Sequence, residues 1–308
     1  MRGAPLCLSP NVDYNSFVFI VLDLAPLLDP VQRPLNAAPA MAKPDHIQFP
    51  GEEPIPILYE DRSVLALDKP PGWMLVPLSW QKTNRNLQAA IEASLAAGHF
   101  WARSRNLKFL RYIHRLDAET SGVLLFGKSI GAVNSIGELF ETRKMEKVYL
   151  AVTDRAPKEK QWTCRLSLAR DPDQIGRILV SPEGKVADTE FRLLASERGR
   201  HLIEARPHTG RQHQIRVHLR ESGCPILGDT LYGQEDDQPM ALRAVGLAYR
   251  DPFTRKDVFI RAPVKAFLAA QGFDGFDYRV RFESVGWPAA RRASSAPIPP
   301  ATRAPRRA

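Results

Sequence analysis

From PIPILYEDRSVLALDKPPG onward, starting near Pro54, strand-length apolar runs alternate with turn residues, and this interleaving constrains the fold more than any other feature. VLALDK predicts a strand, PPGWMLVP a turn with a returning edge, and LQAAIEASLAAG a helix closed by Gly98. KFLRYI predicts a strand, HRLDAETS a polar turn and GVLLFGK another strand. Ser129 suits the cap of a helix running to about Arg143, with Val133, Ile136, Leu139 and Phe140 on one face. In KVYLAVT a period of two sets Val148, Leu150 and Val152 against Lys147, Tyr149 and Ala151. TEFRLLAS and HLIEARP read as strands, and HQIRVHLRESG as a short helix ending at Gly223. Helices placed so irregularly, among hairpin-like neighbours, do not build a doubly wound parallel sheet. The expectation is an α+β fold, a mixed, largely antiparallel β-sheet flanked by helices.

With 44% hydrophobic and 25% charged residues, the 308-residue chain is not disordered throughout. Residues 1–50 mix Pro, Asn, Asp and short apolar pieces without a sustained period and read as a flexible leader. Met41 is a natural alternative start, which leaves open whether residues 1–40 are translated. Residues 54–285 form one expected domain without internal repeats, and 286–308 a disordered basic Ala/Pro/Arg tail. The net charge of +9 suits a polyanionic partner, but five arginines of that tail carry much of it. Three scattered cysteines, Cys7, Cys164 and Cys224, form no disulfide framework or metal knuckle and fit a reducing cytoplasm. The longest apolar run, FVFIVLDLAPLL from Phe17, is interrupted by Asp23 and too short to span a membrane.

Gly122 to Ser129 reads GVLLFGKS and satisfies the lettering of a phosphate-binding loop. Val, Leu, Leu and Phe, however, suit a buried strand and not a bent loop of exposed N–H groups, so the segment reads as strand then helix cap. The turn HRLDAETSG gathers Arg115, Asp117 and Glu119 between two apolar strands. Taken alone it admits two readings, a satisfied turn in which Arg115 pairs with an acid, or a functional cluster. ARPHTGRQHQIRVHLRESGCPILGD packs Arg206, His208, Arg211, His213, Arg216, His218 and Arg220 together. Histidines five residues apart fall on different faces, so no three-histidine metal site is expected. Phosphate contact or orientation of a carboxylate are the better uses, against a merely basic helix face.

Together these segments resemble the RluA-type family of RNA pseudouridine synthases. The matching pieces are ILYEDRSVLALDKPPGWMLVP, HRLDAETSGVLLFGKS, KVYLAV, EGKVADTEF, HTGRQHQIRVHL, CPILGDTLYG and LRAVGLAYRDPFT, in family order over about residues 55–270. Leu242-Arg243-Ala244 departs from the family's common Leu-His-Ala. The resemblance implies isomerisation of uridine in rRNA or tRNA to pseudouridine, by breaking N1–C1′, turning the base and joining C5 to C1′. It implies Asp117 as the essential carboxylate, Arg216 as its partner and Tyr149 as a stacking residue able to help remove the C5 proton. Arg115 would fill the space of the flipped base, and Lys147, Arg211 and His213 would contact RNA. No cofactor or metal is implied. Residues 1–53 lack the basic helical pair of an S4 domain, so the chain reads as an S4-less, cytoplasmic, monomeric member whose partner is RNA. The alternatives are a non-catalytic RNA-binding or RNA-chaperone protein on the same fold, and the disfavoured NTPase reading.

Overall fold

The computed structural model describes residues 42–75, 85–233 and 238–282. The expected leader up to Met41, the end of the returning edge at Val76 and Pro77, and the arginine tail lie outside the described residues.

Twelve strands form one sheet. In chain order they are β1 (His46–Ile47), β2 (Ile55–Glu60), β3 (Val64–Lys69), β4 (Arg111–Tyr112), β5 (Ser121–Gly127) and β6 (Glu146–Thr153). They continue as β7 (Gln161–Arg170), β8 (Ile178–Val180), β9 (Lys185–Glu197), β10 (Arg200–Pro207), β11 (Leu242–Arg250) and β12 (Asp257–Arg261). The spatial order is β1-β2-β3-β5-β11-β6-β10-β9-β7-β8, with β4 pairing β5 and β12 pairing β11. Every described pairing is antiparallel except β5 with β11. Helices α1 (Leu87–Ala96), α2 (Phe100–Arg103), α3 (Ile130–Glu141), α4 (Gln214–Glu221) and α5 (Lys265–Ala270) complete the described elements. This is the mixed, mostly antiparallel architecture expected.

Two caps work as side chains of their type should. Asn86 accepts the Ala89 N–H and Ser129 the Ala132 N–H, each at 3.1 Å, satisfying donors that the first helical turn leaves free. Ahead of Ser129, Val123 to Phe126 are buried in β5, so the phosphate-loop lettering belongs to a strand followed by a helix cap. Gly122 has φ +110, and a Cβ there would strike the Ala244 carbonyl. Only glycine lets β5 and β11 approach so closely at this point.

Three expectations need correction. Packed structure begins before Pro54: β1 pairs with β2, and Ile47 and Phe49 are buried. That alternating pair is simply too short to register as a period. KFLRYI contributes only Arg111–Tyr112 to the sheet, because Leu107 and Leu110, three residues apart, turn into the core instead of alternating. The strands β7, β8, β11 and β12 and the short α2 and α5 were not predicted as elements. For β7 the signal existed, since Trp162, Cys164 and Leu166 recur every second residue.

The central strands converge on one place. Ala244 of β11 is flanked by Gly122 of β5 and Tyr149 of β6, and Tyr149 pairs on its other side with Ala205 of β10. Strands lie about 4.8 Å apart, so the turn entering β5, the middle of β6 and the segment leaving β10 meet there.

Candidate active site

The turn carrying Asp117 is held from below. Lys69 ends β3 on the face of Leu65 and Leu67 and is fully buried. Its ammonium donates to the carbonyls of Pro70 at 2.9 Å and Ala118 at 2.7 Å. The Gly72 N–H also donates to Ala118, and the Thr120 N–H closes the turn on the Asp117 carbonyl. Burial pulls the Lys69 ammonium down to about 8, against the raising influence of Glu119 and Asp117. The backbone of the turn is thus pinned while the Asp117 side chain stays partly exposed.

Two side chains from the β10–α4 segment meet that carboxylate. Arg216 Nη1 donates to Asp117 Oδ2 at 3.2 Å, and His213 Nε2 lies 3.8 Å from Oδ1. The two-pronged grip of Arg216 falls on Asp229: Nε and Nη2 donate to it at 2.8 and 2.7 Å. Asp229 is buried and also accepts the N–H groups of Leu231 and Tyr232. Burial opposes the Arg216 charge, yet the hydrogen bonds to Asp229 and the fields of both carboxylates outweigh it, raising its pKa above the ordinary arginine value. Arg216 is therefore a cation anchored by one acid and presented to another.

Tyr149 packs between the two larger apolar clusters of the sheet. Burial, and then the Asp117 charge, push its hydroxyl well above the usual phenol range. It stays a neutral phenol at physiological pH, which suits stacking better than proton abstraction as a phenolate. Two residues earlier on the same face, Lys147 donates to the Thr209 carbonyl at 2.7 Å. Burial first, then Arg143 and Arg211, lower its ammonium to about 8. Arg211 donates from Nε to the Val186 carbonyl at 3.2 Å, and its N–H meets Gln214 Oε1 at 3.0 Å.

The other basic side chains separate. Arg115 is exposed and pairs with neither Asp117 nor Glu119 among the described residues, so the paired-turn reading fails. Arg206 pairs with Glu204 and Glu146, His208 lies 3.0 Å from Glu190, and His218 is buried against Thr189. Arg243, where the chain departs from Leu-His-Ala, donates to Asp68 Oδ2 at 2.7 Å and to the Pro263 carbonyl, bracing β3 against the segment after β12. No group of three metal-ligating side chains occurs among the described residues.

The chain is also similar to known proteins. The model of the RNA pseudouridylate synthase family covers residues 63–221, more than half of the chain. The chain belongs to that family. The synthase is 33% identical to an uncharacterised RNA pseudouridine synthase, YhcT, of Bacillus subtilis over 214 residues, 68% of each chain. It is 31% identical to the ribosomal large subunit pseudouridine synthase C of Rickettsia bellii over 69% of each. Human RNA pseudouridylate synthase domain containing 4 superposes with TM-score 0.55 at 23% identity, over 69% of this synthase and 90% of that chain, and so shows the same fold. The synthase is thus an isomerase acting on uridines in RNA, and the non-catalytic alternative is displaced.

Lys69, Asp229 and Tyr232 were not assigned from the sequence. Lys69 was detectable, because the period of VLALDK puts it on the buried face, where an unpaired ammonium needs carbonyl partners. Asp229 and Tyr232 sit in CPILGDTLYG, whose turn residues carry no periodic signal.

Proposed function

We propose that Asp117 is the essential carboxylate of the isomerisation, that Arg216 orients it, and that Tyr149 stacks on the target uracil. The observation that carries this reading is the contact of the doubly anchored Arg216 with Asp117. A carboxylate so held can capture or stabilise the oxocarbenium-like ribose left when N1–C1′ breaks, with the uracil retained for attack by C5. Arg115, exposed beside the turn, is free to enter the stack as the base leaves it. His213, Lys147 and Arg211 line the approach for RNA. Relatives that include synthases C and D of the ribosomal large subunit favour ribosomal RNA over transfer RNA. The reaction needs no redox partner, and we expect a cytoplasmic monomer acting without cofactor. No helix among the described residues is long and apolar enough to cross a membrane.

Mapping pseudouridine in total RNA from cells with and without this gene tests the assignment and identifies the uridine. Loss of a large-subunit ribosomal site is the expected result; loss of a transfer RNA site alone would overturn the substrate choice.

Lys147 adds a pH signature. A phosphate beside it favours the ammonium, whereas the free group, at about 8, sheds its proton on mild alkalinisation. Affinity for RNA should be level below pH 7 and weaken above about 8, by up to tenfold per pH unit while the bound form keeps its proton. Binding curves for wild type and Lys147→Arg between pH 6.5 and 9.5 check this, since arginine keeps its charge and should flatten the dependence.

A further inference from the structure

His213 and Arg216 reach Asp117, and both rest on one residue, Tyr232. The Tyr232 oxygen accepts the Ile178 N–H at 2.8 Å and lies 2.8 Å from His213 Nδ1. Its ring is buried under the Arg216 guanidinium, whose carbon stands 5.1 Å from the ring centroid. His213 itself has φ +53, in the left-handed region that non-glycine residues rarely adopt. Its side chain makes no capping bond to α4 and meets Tyr232 instead.

A phenol has a single proton to donate. With the Ile178 N–H directed at the oxygen as acceptor, that proton is left for Nδ1. A neutral imidazole that accepts at Nδ1 carries its hydrogen on Nε2. Nε2 faces Asp117 Oδ1, the carboxylate oxygen that Arg216 leaves free. At 3.8 Å the two are beyond hydrogen-bond reach, at a separation that a small closure can shorten or a ribose oxygen beside the pair can bridge. Burial first, and Arg216 with it, outweigh Asp117 and Asp229 and lower the His213 pKa below the ordinary histidine value, which favours the neutral ring.

We propose that Tyr232 is a positioning residue for the isomerisation: its hydroxyl holds His213 with hydrogen on Nε2, aimed at Asp117 Oδ1, while its ring seats the arginine bonded to Oδ2. The proposal rests on Asp117 being the reacting carboxylate. Neutrality of His213 matters because an imidazolium would close onto Asp117 as a second ion pair and occupy the oxygen that the ribose needs.

The test uses the full chain with ¹⁵N-labelled histidine, the His213 signals being assigned by comparison with His213→Gln. At pH 7 the expected spectrum has Nε2 protonated and Nδ1 bare. Tyr232→Phe keeps a ring under Arg216 but removes the hydroxyl. Its single-turnover rate at saturating RNA should fall about tenfold, the scale of one hydrogen bond, with RNA affinity within about twofold and the tautomer preference of His213 weakened. A wild-type proton on Nδ1, a charged ring, or an unchanged rate in Tyr232→Phe would each overturn the proposal. If that variant fails to fold, the wild-type spectrum decides alone. A wild-type protein inactive on every RNA would sink the catalytic reading instead, and the spectrum would still report whether Tyr232 sets His213.

Discussion

Asp117→Asn should lose at least about a thousandfold in single-turnover pseudouridine formation, the scale seen when a reacting group is removed from a preorganised site. Asparagine preserves size, and its amide oxygen can still accept from Arg216 Nη1. The turn is closed by backbone groups and by Lys69, not by the Asp117 side chain. Folding and RNA affinity should therefore stay close to wild type, affinity within a few fold, because grip comes from phosphate contacts elsewhere. The measurement is product formed against time at saturating RNA, beside a binding curve for the same variant. Substantial product from Asp117→Asn would remove Asp117 from its role.

Arg216→Ala should fail in two separable ways. It strands Asp229, a buried carboxylate left with two backbone N–H donors, and removal of one partner from a buried ion pair costs about 3–5 kcal/mol. It also frees Asp117 from its only hydrogen-bonded cation among the described residues, so the saturating rate should fall by roughly a hundredfold or more. The double variant Arg216→Ala with Asp229→Asn divides the two effects. Removing the stranded charge should restore much of the melting temperature and little of the rate. Arg216→Lys keeps a charge, but a compact ammonium cannot reproduce two bonds to Asp229 and one to Asp117; an intermediate loss of both stability and rate is expected. If Arg216 only held phosphate, all of these variants would weaken binding and leave the saturating rate unchanged.

How much of this was legible differs by residue. Strand β6 was readable because a period of two writes both faces into eight residues, and the α3 cap because a serine before an apolar helical face has few other uses. Asp117, Arg216 and their pairing came from the resemblance of their motifs and not from any local pattern: they are 99 residues apart, and no local period encodes a contact across the sheet. For the same reason the anchoring of Arg216 on Asp229 was not foreseen. A guanidinium has five donors, and a sequence shows that they need partners without saying which acid supplies them. Arg115, which local chemistry offered as a partner of Asp117 or Glu119, stands exposed, and Asp117 takes its hydrogen-bonded cation from Arg216 instead. His213, placed with the RNA contacts, also has its ring 3.8 Å from the Asp117 carboxylate, an arrangement that depends on a left-handed backbone at residue 213.

The insertion of β11 between β5 and β6 has a consequence for synthesis of the protein. A nascent chain that has delivered β5 and β6 still lacks the strand that joins them, because residues 242–250 emerge about a hundred residues later. Until then both strands present open edges to other chains. Closure waits on a parallel pairing of high sequence separation, the slow kind of contact. A ribosome translating this message therefore carries, for much of elongation, a half-sheet prone to aggregate and without activity, and the enzyme becomes competent only as its last strands leave the exit tunnel.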